Sequence, residues 1–223
     1  SEYGGGVMVV GGNFNFQNGT IYNNSANMHG GALYLWKSAQ TTMSGGTIRN
    51  NTATSYGGGV EINDNSTLNF NGGYIKNNSS SEIGGGIDVG ANSSLTITGG
   101  EISGNTSKYG GGIYIDNTSS ATMTGGSIFG NTATSNGSNI YNIGSFTMSN
   151  GTIGKENSTS NADAIVNEGA MSIYGGNVYD NISNAGTINT KMAANINGTI
   201  AITNENARII VEDWGGTVPS YTV

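Results

Sequence analysis

Glycines recurring at a fixed spacing constrain this chain more than any other feature. The triplet that begins at Gly4 returns at Gly30, Gly57, Gly84 and Gly110, and in altered form at Gly137, so successive copies start 26, 27, 27, 26 and 27 residues apart. Weaker copies follow near Ala162 (ADAIV) and Ala185 (AGTIN). A period in this range marks a solenoid, in which one short unit stacks on copies of itself. Within each unit the apolar residues alternate with polar ones, as in Val60-Glu61-Ile62 and Leu68-Asn69-Phe70. Period two means strand, and no stretch carries helical spacing.

Aligned copies give three apolar columns. The first is Val7, Leu33, Val60, Ile87, Ile113, Ile140, Ile165; the second is Phe16, Met43, Phe70, Ile97, Met123, Met148, Ile173; the third is Ile21, Ile48, Ile75, Ile102, Ile128, Ile153, Val178. Three columns predict three short strands per coil, each turning side chains toward a common axis. The fold class is therefore all-β, a parallel β-helix of about 8 coils of 23–27 residues, stacked at roughly 4.8 Å. The right hand follows from the usual crossover preference. A polar column, Asn24, Asn51, Asn78, Asn105, Asn131 and then Asn181, falls just after the third strand. Asparagine tolerates the left-handed backbone of a corner, and stacked amides can hydrogen-bond from coil to coil. The repeats are expected over residues 1–188, with 189–223 forming a final irregular coil or cap and Trp214 covering that end.

Composition narrows the function classes. Glycine supplies 39 of 223 residues and proline 1, which excludes collagen and proline-rich linkers. A net charge of −7 from 7 basic and 14 acidic residues excludes nucleic-acid binding through phosphates. No apolar run reaches the roughly 18 residues of a spanning helix, so no membrane insertion is expected. Without cysteine the chain has neither disulfides nor thiolate metal sites.

The motifs GGTIRNNTA and GGSIFGNTA, followed by GGGVEI or GGGIYI, resemble repeats of bacterial cell-surface proteins with right-handed parallel β-helix stalks. Gly30-Gly31-Ala32-Leu33 is also similar to the GGA-I/L/V repeats of chlamydial polymorphic outer-membrane proteins, although their FxxN motif is replaced here by Ile with Asn three residues on. The resemblance covers roughly residues 3–188. It implies an extracellular, cell-surface location, and a chain that opens directly into repeat material reads as part of a larger surface protein. The expected role is a non-catalytic adhesin or stalk domain, with a glycan or a host surface protein as partner and no cofactor or metal.

The candidate ligand-binding residues lie on the outer face of the first strand. They are Tyr34, Trp36, Glu61, Asp88, Tyr114 and Asp116, aromatics beside carboxylates, a combination that holds sugar rings by stacking and hydrogen bonding. The same aromatics would serve equally as cross-strand stacks. Glu61 and Asp88, one coil apart, form the best carboxylate pair for the first alternative, a polysaccharide-active enzyme or its carbohydrate-binding appendage. Arg49 and Lys76, the nearest candidates for a lyase base, belong to another side of the coil. His29 sits in the column of Tyr3, Tyr56 and Tyr109 and is read as a member of a surface stack without a catalytic partner. Parallel files of Thr, Ser and Asn on the middle strand, such as Thr96 and Thr98, make an ice-binding face the second alternative.

Overall fold

The structure, a computed structural model, describes residues 1–156, 164–191 and 193–212. Every strand pairing is parallel, and each strand bonds to its counterpart one coil away. Two of the sheets are nine strands deep, a third has eight and a fourth five. Nine stacked strands make nine coil levels among the described residues, one more than the about 8 expected. The three apolar columns fall into register as aligned: Val60 opposite Leu33 and Ile87, Phe70 opposite Met43 and Ile97, Ile75 opposite Ile48 and Ile102. All of these are buried in one continuous core. Like side chains stack on like, so each coil fills the same cross-section as its neighbour.

Two further inward columns complete the core. One runs through Leu35, Ile62, Val89 and Ile115; the other through Thr41, Leu68, Leu95, Ala121, Phe146 and Met171. The first changes character at Asn142, Asn167 and Asn184, all fully buried. Their amides donate in sequence, Asn142 to Asn167 and Asn167 to Asn184, each at 2.7 Å. The ladder begins under Ile115, which has nothing to donate, and the Oδ1 of Asn142 is accordingly unpartnered.

In five coils a fourth side joins the three expected. Ser25–Ala26, Thr52–Ala53, Ser79–Ser80, Thr106–Tyr109 and Thr132–Asn136 form the five-stranded sheet. Its inward residues Ala26, Ala53, Ser80 and Ser107 are buried. Small side chains let the backbone of this side come close to the axis, and for that reason the segment carries no apolar signal.

The asparagine column forms a ladder. Asn24, Asn51, Asn78 and Asn105 each donate from Nδ2 to the Oδ1 of the next asparagine, at 2.9, 2.9, 3.0 and 2.9 Å. The left-handed residue at the corner is the one before, Asn23, Asn50 or Asn77, with φ of 55–56°. Gly104 and Gly130 take that place in the next two coils. After Asn131 the chain has Glu156 at the matching position, and the ladder turns aside to the Oδ1 of Asn139 at 2.8 Å. Asn139 occupies the third-glycine position of its coil, where Gly86 and Gly112 already sit against the ladder amides. It in turn donates to Asp180.

Residues 189–191 and 193–212 continue the stack. Ala194–Ile196, Ile200–Ile202 and Arg208–Glu212 add one strand to each of three sheets. The proposed cover by Trp214 lies outside the described residues, as do Ala162 and Asp163 of the weaker repeat copy, whose Ile165 pairs with Ile140 as aligned.

Candidate functional site: an acid groove on the first sheet

The glycine triplet explains how a site arises on the first sheet. Its first glycine adopts positive φ in six successive coils, Gly4, Gly30, Gly57, Gly84, Gly110 and Gly137. The residue before it belongs to a column joined by single bridges: Tyr3, His29, Tyr56, Ile83, Tyr109. The sharp turn folds this column's side chains over the outer face of the neighbouring sheet. Tyr3 stacks on His29 with centroids 5.2 Å apart, and His29 on Tyr56 at 5.0 Å. The column also reaches sideways. Tyr3 and His29 both stack on Tyr34, and Tyr109 meets Tyr141.

Three of the outward-pointing candidates are therefore buried, which corrects the sequence expectation that they are exposed. Tyr34 is 4% exposed, Glu61 1% and Asp88 2%. Tyr34 offers no free ring face to a sugar. Trp36 is half-buried and carries the Lys37 ammonium 4.1 Å above its ring. Tyr114 is half-buried and lies flat against Tyr141, with centroids 5.5 Å apart. Tyr34 and Tyr114 thus belong to ring stacks of the kind weighed against binding, whereas Trp36 meets the Lys37 ammonium.

The carboxylates do come together. Glu61, Asp88 and Asp116 line one groove of about 330 Å³, with His29, Tyr56 and Asn63 among its other walls. It opens where the bridged column changes from tyrosine to Ile83 and where Gly90 and Ala91 follow the strand, so that the wall recedes. Of the six candidate residues, Glu61, Asp88 and Asp116 belong to the groove, while Tyr34, Trp36 and Tyr114 do not line it.

His29 has a partner after all. Its Nδ1 lies 3.0 and 2.9 Å from the two carboxylate oxygens of Glu61. Asn63 donates to Glu61 as well, at 3.0 Å. The hydrogen bond to Glu61 raises the His29 pKa above 6.5, against burial and with help from the charges of Glu61 and Glu2. Oδ1 of Asp88 accepts no hydrogen bond. Burial first, then the charges of Glu61 and Asp116, raise its pKa well above 3.8. Asp116 keeps an ordinary turn contact, accepting from the Thr118 amide at 3.2 Å. No lysine or arginine lines the groove. Arg49 and Lys76 sit on the third sheet, over the rings of Tyr22 and Tyr74. Among the described residues no group of three His, Cys, Asp or Glu side chains is arranged to hold a metal ion.

The His29–Glu61 contact joins residues 32 apart, one coil plus the five-residue step around the glycine corner. Reading columns coil by coil does not reveal it, because the partners belong to different columns.

A family model described as a right-handed beta helix region matches residues 1–124. No curated protein and no solved structure matches the chain. The matched segment spans more than half of the sequence and ends within the run of coils that share one register. The parallel sheets, the stacked columns and this match together make the chain a member of the right-handed β-helix family.

Proposed function

We propose that this chain is a non-catalytic adhesin or stalk domain of a bacterial surface protein, extracellular, whose groove on the first sheet holds a glycan or host-surface ligand. The observation that carries this reading is the groove itself. It is a recess lined by carboxyl, imidazole, amide and phenol groups. A polar-lined recess with an aromatic wall suits a sugar, whose rim of hydroxyls needs acceptors and whose ring face needs an apolar surface. The rest of the molecule supplies stiffness through its sheets and ladders and so would hold the recess at a fixed distance from an anchor.

Binding of the chain to a panel of glycans and host-matrix proteins, with and without Ca²⁺, tests this. The expected result is a specific ligand whose binding falls at least about tenfold on Asp116→Ala or Tyr56→Ala, the loss of one or two well-placed contacts. Thr96→Tyr on the second sheet should leave it unchanged. A blank panel with a folded chain, or a ligand indifferent to the groove substitutions, overturns the reading.

One observation favours a second reading, a polysaccharide-active enzyme. Asp88, its pKa raised well above 3.8 by burial, lies one coil from the Glu61 carboxylate, and a proton donor beside a carboxylate is what glycoside hydrolysis requires. Release of reducing ends that disappears in both Glu61→Gln and Asp88→Asn would replace the adhesin reading with this one.

A further inference from the structure

Asp88 is an unusual residue to find in a groove wall. Its Oδ1 is sealed from solvent and accepts no hydrogen bond, and the residue as a whole is 2% exposed. Leaving a buried acceptor unpaired is unfavourable, and native structures rarely do so without cause. The groups facing it are Glu61 from the preceding coil, Asp116 and Tyr114 from the following one, and His29 and Tyr56 from the bridged column. Of these His29 is the only base, and its Nδ1 is taken by Glu61. The groove therefore holds a surplus of acceptors and negative charge, with no cationic side chain of its own directed at Asp88. A ligand that brings hydrogen-bond donors and one positive charge supplies what the site lacks. Opposite the carboxyl groups, Met28, Tyr56 and Ile83 offer an apolar wall to a ring or short stem. The volume of about 330 Å³ is at the small end of ligand sites, room for a group the size of one sugar ring.

We propose that the groove recognises the free primary amine of an amino sugar, with its ammonium seated against Asp88 and flanked by Glu61 and Asp116. The proposal rests on the glycan-binding reading and names the kind of sugar. An ammonium has three donors, enough to meet the edge of the Asp88 carboxyl group that lines the groove and a second carboxylate at once. Its charge opposes the repulsion from Glu61 and Asp116 that raises the Asp88 pKa, so the bound amine favours the ionised carboxyl group and a protonated Asp88 gives its proton to solvent. Affinity accordingly rises with pH until the amine itself loses its charge. An N-acetylated sugar presents one amide donor and no charge, and leaves Asp88 as it was.

The test compares short glucosamine oligomers with their N-acetylated counterparts by calorimetry on the whole chain, in two buffers of different ionisation enthalpy. The amine form is expected to bind at least about tenfold more tightly, the value of a charge-assisted hydrogen bond. Its binding should release protons, and Asp88→Asn should bring the two affinities to within about twofold. Equal binding of both forms by the unaltered protein overturns the proposal while the glycan-binding reading stands. So does binding of other glycans from the panel with none of the amine. Failure of every sugar removes the reading beneath it as well. The comparison of the two ligands needs no variant, so it stands whether or not Asp88→Asn folds.

Discussion

Asn78→Ala should destabilise the chain by about 3–5 kcal/mol, a large part of the 5–15 kcal/mol that holds a typical domain together. Asn78 is 1% exposed and stands in the middle of the ladder. Its Oδ1 accepts both the backbone N–H of Asn51, at 3.0 Å, and the Asn51 side-chain amide, at 2.9 Å. Its Nδ2 donates to the carbonyl of Ile48 and to Asn105, at 3.1 and 3.0 Å. Truncation orphans a buried backbone donor, at about 1–3 kcal/mol, and removes three further bonds worth about 1 kcal/mol each before relaxation. Asn24, at the open end of the ladder and half-exposed, only donates, to Tyr22 and to Asn51. Asn24→Ala should therefore cost no more than about 1 kcal/mol. Chemical denaturation of the two variants checks the gradient. Equal effects would mean that the ladder is decoration on a stack held by its core.

Gly58→Ala should be worse still, because the obstacle is backbone. An added Cβ would lie 2.4 Å from the carbonyl carbon and oxygen of Ser79 and 2.5 Å from the Gly85 oxygen. Flexible side chains can yield to an extra methyl at about 1–3 kcal/mol, but here two coils would have to move apart. The expected outcome is a loss exceeding about 3 kcal/mol, with unfolding that starts at coils two to four, since each coil contacts only its neighbours. Gly130→Asn is the contrasting case. Gly130 has φ of +62° and open space around its Cα, and Asn23, Asn50 and Asn77 already fill the equivalent corner. That substitution should be nearly neutral in thermal melting, whereas a comparable loss at both glycines would contradict the packing argument.

These two sites show why so much of the fold was legible. A solenoid prints each structural requirement once per coil, so the glycine approach, the amide ladder and the three core columns appear as repeated letters. The fourth sheet left no such trace, because Ala26, Ala53, Ser80 and Ser107 are buried for their smallness and not for their hydrophobicity. The ladder was foreseen with its corner one residue out of place: the left-handed residue is Asn50 and the hydrogen-bonding one Asn51. Asn139 was invisible as a ladder member, since it replaces a glycine in a different column.

The groove was half legible. Alternation places Glu61 and Asp88 on the outer face, and their register one coil apart is as aligned. What alternation cannot give is what covers that face. The positive-φ turn at each glycine triplet swings His29 and the tyrosines across it, and this buries Tyr34, pairs His29 with Glu61 and leaves Asp88 with only carboxyl neighbours of its own sign. A sequence rule that paired each residue with the one about 32 places on would have found the contact.

That enclosure is the central claim, and it makes a signed prediction for pH. His29 has a folded pKa above its unfolded value near 6.5, so the stability it contributes is complete below 6.5 and is lost as pH rises through the folded value. Asp88 has a folded pKa well above 3.8, so burying it is least costly below 3.8 and becomes more costly as pH climbs through its folded value. Both groups thus favour the acidic side. The most direct measurement follows the Asp88 carboxyl carbon and the His29 ring through a pH titration by NMR in one sample. An enclosed groove predicts an Asp88 midpoint well above 3.8 that falls in Glu61→Gln, and a His29 midpoint above 6.5 that falls in the same variant. An Asp88 that titrates near 3.8, indifferent to Glu61, would mean a solvated sheet face with no built site on it.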